Sequence, residues 1–432
     1  MNVTKVEELP PKIEEDSILS IQENNVSHLT HGIHKYPGKF IPQLPAWALN
    51  KYSEKVNSSY VLDPFCGSGT TLLECSVRNF KSIGIDIDPL SCLITKVKTT
   101  PIPDDRLNYL EEVFSNFHEL TETNHIPKID NLSHWFSDEA VTKLSKLRTH
   151  IESLYEERKI NKDEYDFLII IFSSIIRKVS NADNRSQKTY VSHTRFKEPA
   201  DVFEQFEKNF KKGVEDLREL GDIVNSNYIL PKIYNENVEY LDTLGKNYDI
   251  GLMITSPPYI KSIDYIYNQM AELFWVGDLF QLETQPKQNE KKRKYLGAKN
   301  ILKKEYSTLD IENDKLDIEE LDQNIEQIYF NDQKNGEKHA YIVYDFFKEM
   351  ELHLETAFNA LQDNGSYVMI VGNSSVSGLK INTAKFISKL AQRAGFTVRN
   401  SWAYEIRNRY MGFDRKGKGG LIDCDHVLEF SK

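Results

Sequence analysis

Ser256-Pro257-Pro258-Tyr259 follows an apolar run at 248–254. Such a run reads as a buried strand, and proline, which cannot donate to a sheet ladder, stops it abruptly. In an open α/β sheet the carboxyl end of a strand is where ligands bind. A hydroxyl, a fixed carbonyl and an aromatic ring placed there would suit a flat base carrying an amino group, with acceptors for the amino hydrogens and a face for stacking. Alone, the tetrapeptide is also an ordinary loop sequence, so it needs a structural setting.

The setting is a second stretch, Val61-Leu62-Asp63-Pro64-Phe65-Cys66-Gly67-Ser68-Gly69-Thr70-Thr71. It reads as a short strand, a glycine turn and the start of a helix, the pattern of a nucleotide-binding unit. It lacks the dinucleotide G-x-G-x-x-G spacing, and no G-K-[ST] follows to make a phosphate-binding Walker loop. A second strand at 81–85 ends at Asp86, with Asp88 two residues on. A carboxylate at that strand end can accept hydrogen bonds from both ribose hydroxyls; Asp86 is the first choice and Asp88 the second. The plainer reading of both aspartates is that they cap the helix that follows.

With Asp63-Pro64-Phe65-Cys66-Gly67-Ser68-Gly69-Thr70 and Thr255-Ser256-Pro257-Pro258-Tyr259 both intact, the chain resembles the amino-methylating, site-specific DNA methyltransferases. That family's cofactor motif is written D-P-F-C-G-S-G-T and its catalytic motif S/D/N-P-P-Y. Lys35, Tyr36, Pro37 and Lys39 match the family's N-terminal element, which covers the methionine end of S-adenosylmethionine. Arg407-Asn408-Arg409-Tyr410 is similar to a late motif near the target base. The resemblance implies S-adenosylmethionine as cofactor, held by these N-terminal residues, by 63–70 and by Asp86 and Asp88. It implies Ser256, Pro257, Pro258 and Tyr259 as the catalytic set: the Ser256 hydroxyl and Pro257 carbonyl accept the amino hydrogens, and Tyr259 stacks on a flipped base.

Serine in the first position of that motif points, within the family, to the N4 amino group of cytosine; the N6 amino group of adenine is the alternative. Methylation at cytosine C5 is disfavoured, since it calls for a nucleophilic cysteine after a proline and no Pro-Cys occurs. An RNA methyltransferase or a catalytically silent DNA-binding subunit are further alternatives. Against them stand the lack of an RRM-type or KH-type sequence in a suitable setting and the intactness of both motifs. Expected partners are double-stranded DNA and a cognate restriction endonuclease encoded nearby.

The 432 residues carry a formal net charge of −11, awkward for a protein that must meet phosphates, so local charge is the relevant quantity. Basic residues cluster at 177–197, 287–304 and 399–418. Arg185, Lys291, Lys292, Arg293, Lys294, Arg407 and Arg409 are accordingly the candidate DNA contacts. No apolar run approaches the roughly 20 residues of a membrane span. The acidic N-terminus does not read as a signal peptide. Four cysteines without a C-x-x-C pair argue against zinc and against a disulfide framework, which suits a reduced cytoplasm and leaves no metal expected.

The elements that must position these residues are those of an α/β fold, a Rossmann-like class I methyltransferase sheet with an inserted helical subdomain and a charged insertion. The expected divisions are an N-terminal extension (1–25), a cofactor-binding half (26–103), a helical insertion (104–225), the first part of the catalytic half (226–280), a charged insertion (281–339) and the remainder (340–432). Ser137 ahead of Asp138 and Glu139 predicts a capped helix start. The apolar run 167–172 predicts core. The acidic stretch after 304, low in apolar residues, predicts a mobile lid or an element that orders on DNA. Either insertion could read the target.

Overall fold

In the computed structural model, residues 3–22, 26–56, 58–184, 188–260, 264–297, 301–406 and 424–432 are described. The strands in chain order are β1 (Val3–Val6), β2 (Ile18–Ile21), β3 (Tyr60–Asp63), β4 (Ser82–Ile85), β5 (Lys232–Tyr234), β6 (Ile250–Thr255), β7 (Leu361–Gly372), β8 (Ser374–Val376), β9 (Leu379–Ile381), β10 (Thr397–Glu405) and β11 (Cys424–Ser431). Nine of them form one sheet in the order β1-β2-β10-β11-β7-β6-β3-β4-β5, and β8 pairs with β9 apart from it. Pairing is parallel from β5 through β4, β3 and β6 to β7, while β11 runs antiparallel between β7 and β10. This is the mostly parallel α/β sheet the sequence predicts. Its order reverses between β3 and β6, so the crevice outside their carboxyl ends is the place for a ligand.

Alternation along the strands sorts the two faces, as a period of two requires. Val61, Leu252, Ile254, Val368 and Ile370 pack with Leu44, Trp47 and Ala48. Leu62, Met253, Met369 and Val371 pack on the other side with Leu244, Val343, Leu354 and Ile387. The N-terminal segment is strapped down. β1 and β2 extend the sheet beside β10, and the Trp47 indole donates to the Pro10 carbonyl at 2.9 Å.

Between β4 and β5 lie the helices Asp104–Val113, Asp138–Glu156, Lys162–Val179 and Val202–Ile223. Their starts follow from local chemistry. Ser137 accepts from Ala140 N, Asn161 and Glu164 form a reciprocal capping box, and Asp201 accepts from Phe203 N and Glu204 N. This insertion shares one continuous core with helix Pro89–Thr99 and with helix Met270–Val276, which follows the Ser-Pro-Pro-Tyr stretch. The run 167–172 lies wholly in that core.

The acidic stretch departs from expectation. Leu309, Leu316, Ile318, Leu321, Ile325 and Ile328 are buried against helix Gly336–Ala360, so this segment is folded structure despite its low apolar content. Its apolar residues are few but sit at helical spacing. Leu321, Ile325 and Ile328 form one stripe of helix Glu319–Asn331, and the carboxylates occupy the opposite face.

Arg148 is fully buried where the insertion meets the chain after the Ser-Pro-Pro-Tyr stretch, pairing with Asp278 and Glu152 at 3.0 Å each and with the Tyr165 hydroxyl at 3.1 Å. Removing one member of a buried charge network is costly. Arg148→Ala is expected to lower stability by about 2–4 kcal/mol in denaturant melts.

Candidate active site

Two strand ends are joined at the reversal point. Asp63, the last residue of β3, is buried and accepts a hydrogen bond of 2.5 Å from the Thr255 hydroxyl, which ends β6. The same carboxylate oxygen accepts from Phe65 N at 3.2 Å, turning the chain into the glycine loop. Burial pushes the Asp63 carboxyl up to about 6, although the bonds from Thr255, Thr71 and Phe65 pull the other way.

From there the loop runs under a cleft of about 260 Å³. Pro64, Phe65, Cys66, Gly67, Ser68 and Thr70 line it from β3, Asp86 from β4, and Ser256 and Pro258 from β6. Gly69 caps the helix Thr70–Val77 in the left-handed conformation (φ 75°), and a Cβ there would meet the Thr95 side chain at 2.5 Å. Both facts demand glycine.

Asp86 accepts from Gly67 N and Asp88 N, both at 2.8 Å, so one carboxylate holds the two turns together. Burial, then the neighbouring Asp88, push it up to about 7. Asp88 lies outside the cleft lining. It is fully buried and caps helix Pro89–Thr99, accepting from Leu90 N at 3.0 Å and from the Ser91 hydroxyl at 2.8 Å.

The 31–40 segment closes one side. His31 bonds Glu74 at 2.8 Å, Thr30 bonds the Lys98 carbonyl at 2.6 Å, and His34 bonds Ser173 at 3.2 Å, tying the segment to three helices. Burial holds both histidines near 4, hence neutral. Tyr36 and Lys39 line the cleft; Lys35 and Pro37 do not. Tyr36 stacks on Tyr265 at 5.6 Å, which brings a second ring to the wall.

The Ser-Pro-Pro-Tyr stretch divides. Ser256 and Pro258 reach the cleft, whereas Pro257 is buried and Tyr259 is turned toward β11. The Tyr259 hydroxyl donates to Asp425 at 2.8 Å, with Ser256 as a second partner, and Tyr404 donates to the other Asp425 oxygen at 3.1 Å. Its ring lies so close to Gly372 that a Cβ there would meet it at 2.7 Å. Burial pushes Asp425 up to about 6 against the pull of the two tyrosines.

Of the candidate DNA contacts, Arg293 and Lys294 line the cleft, beside Tyr295 and Leu296. Lys292 is drawn inward instead, bonded to Asp264 at 2.6 Å over the Tyr267 ring. Lys291 is partly buried, its ammonium weakened by that burial while Asp88 and Asp86 attract it. Arg185, Arg407 and Arg409 lie outside the described residues.

Several lining residues escaped the sequence reading. Asn237 and Val238 follow β5, and Asp345, Glu349 and His353 come from one face of helix Gly336–Ala360. The second group carried a signal: three polar residues spaced by four on a helix whose neighbours are apolar.

The fold is a mostly parallel α/β sheet of the methyltransferase kind, with a glycine turn, an acidic second-strand end and a cleft at the point of order reversal. A family model described as DNA methylase, of the N6/N4 methyltransferase kind, matches residues 10–97. The chain is 27% identical to the Type II methyltransferase M.MvaI of Kocuria varians over 432 aligned residues, covering 94% of this chain and 90% of that one. It is 28% identical to the Type II methyltransferase M.MjaII of Methanocaldococcus jannaschii over 378 residues, covering 66% and 68%. Residues 10–97 are thus similar to the N6/N4 DNA methylase family, and the chain as a whole is similar to Type II methyltransferases.

Two outcomes are expected from this geometry. Because Asp86 titrates near 7 when folded and near 3.8 when unfolded, the folded chain binds the extra proton in between, and stability falls as pH rises across that window. Asp86→Asn should flatten that part of the slope in melts without cofactor. Asp425→Ala deprives the Tyr259 hydroxyl of a charged acceptor, and kcat is expected to fall about tenfold with cofactor affinity held in calorimetry.

Proposed function

We propose that this chain transfers a methyl group from S-adenosylmethionine to the N4 amino group of a cytosine turned out of duplex DNA, as the modification enzyme of a Type II restriction-modification system. The observation that carries the reading is that Ser256 shares one cleft with Asp86, the glycine turn and the stacked rings of Tyr36 and Tyr265. A donor and an acceptor base must meet in one such place.

The residues suit that cofactor. Lys98 is fully buried behind Ser68, with the Ser68 hydroxyl at 3.3 Å and no carboxylate partner among the described residues. Burial, with Lys39 adding to it, pushes its ammonium far down. A ligand carboxylate beside Ser68 would restore that charge, and the methionine end of the cofactor carries one. Asp86 offers acceptors for ribose hydroxyls, and Tyr36 and Phe65 offer flat faces. Bound there, the sulfonium would supply an electrophilic methyl group.

What the chain must do is orient and desolvate. An exocyclic amine is a poor nucleophile while its lone pair is delocalised into the ring. The Ser256 hydroxyl and Pro257 carbonyl are assigned as acceptors for its hydrogens, favouring the pyramidal geometry that frees the lone pair. Serine is no base at neutral pH, so the proton leaves after methylation. Tyr259, anchored through its hydroxyl to Asp425, holds the stretch that carries Ser256 against β11. Serine ahead of Pro-Pro-Tyr favours cytosine over the adenine alternative.

The test is expression in a methylation-free host, followed by mass spectrometry of nucleosides from genomic DNA. N4-methylcytosine supports the reading, N6-methyladenine moves the target base, and neither product with cofactor still bound points to RNA. Ser256→Ala should lower methylation at least about 100-fold, the scale of losing a transition-state hydrogen bond, with cofactor affinity unchanged in calorimetry.

A further inference from the structure

Phe196 is 90% exposed, well beyond Phe330 at 66% and every other large apolar side chain among the described residues. Scattered exposed apolar groups are ordinary. This one is unusual in its company. Arg195 precedes it, Lys197 follows it, and His193 and Lys188 stand on the same segment, with Glu198 the acid beside them. A phenyl ring presented to water beside the exposed Arg195 fits a polyanion that also offers an apolar interior.

The segment is anchored. Lys197 Nζ donates to the Arg177 and Ser180 carbonyls at 2.7 and 2.8 Å, and Arg177 donates to the Asp183 and Lys188 carbonyls at 3.1 and 2.9 Å. The Thr189 hydroxyl donates to the Asn268 carbonyl at 2.7 Å. Both attachments lead to the cleft. Helix Lys162–Val179, which carries Arg177, holds His34 through Ser173, and two residues on from His34 is Tyr36. Asn268 ends the turn that starts at Tyr265. Tyr36 and Tyr265 are the two stacked rings of the cleft wall.

We infer that Phe196 is a wedge that enters the DNA base stack beside the methylated base, with Arg195 on a flanking phosphate. The inference rests on the reading above that the substrate is duplex DNA. Turning a base out of a duplex costs a few kcal/mol and leaves a gap in the stack. An apolar side chain inserted at a base step replaces lost stacking contact, and a neighbouring cation holds the backbone in register.

The test uses the full chain and a synthetic duplex carrying its methylation site, with Phe196→Ala and Phe196→Trp. Being exposed, the ring contributes little to folding, and equal melting curves for all three proteins check this. Phe196→Ala is expected to lower kcat/KM on the paired duplex about tenfold or more, and less than about threefold on a duplex whose target base is mismatched, because unpairing there is already done. Phe196→Trp should recover most of the loss. Unchanged kinetics on the paired duplex overturns the wedge. So do equal losses on paired and mismatched duplexes, and so does a change in oligomeric state with unchanged DNA kinetics, which would assign the ring to a protein interface. A wild-type chain that methylates no duplex DNA is a separate result that removes the functional reading and the wedge with it.

Discussion

The hydrogen bond between Asp63 and Thr255 holds together what the rest of the cleft depends on. It joins the ends of two adjacent parallel strands that diverge into different loops, one toward the glycine turn and one toward Ser256. Strands splay at such a reversal because the connections on either side leave in opposite directions. A buried carboxylate that also accepts from the start of the glycine turn keeps the two loops at a fixed separation. Its elevated proton affinity is the cost of keeping that anchor out of water.

Around that anchor, the chain uses buried polar groups wherever a loop must hold still. Asp86 gathers two backbone donors, His31 and His34 fasten the N-terminal segment while staying neutral, and Asp425 receives two tyrosine hydroxyls. Each leaves little freedom to a group near the cleft. The same logic explains the helical insertion. Its core continues through helix Pro89–Thr99 into helix Met270–Val276, so it buttresses the elements flanking the cleft on both sides. Although the chain is acidic overall, Arg293 and Lys294 bring positive charge to the cleft lining.

Much of the fold was legible before any coordinates. The strands β3, β4, β6 and β7 are apolar runs with abrupt ends, and the insertion's helices announce themselves by capping residues at Ser137 and Asn161 and by apolar periodicity. The acidic segment is less legible because its composition is polar, while its few apolar residues are placed at helical spacing and find a partner in helix Gly336–Ala360. Composition averages over faces, and burial depends on one face alone.

The sequence by itself determined the two motifs, the strand ends that carry them and the candidate cofactor and base residues, because these depend on local chemistry: proline ending a strand, glycine allowing a left-handed turn, a carboxylate following a strand. Only the tertiary structure decided what faces what. Lys292 became an internal ion pair and Tyr259 a ring tethered to β11, while Asp345, Glu349, His353 and Tyr265 joined the cleft. These assignments arise from contacts between residues tens to hundreds of positions apart. The direction of a side chain is set by the neighbours that strand order and helix packing bring to it, and those neighbours are not its neighbours in the chain.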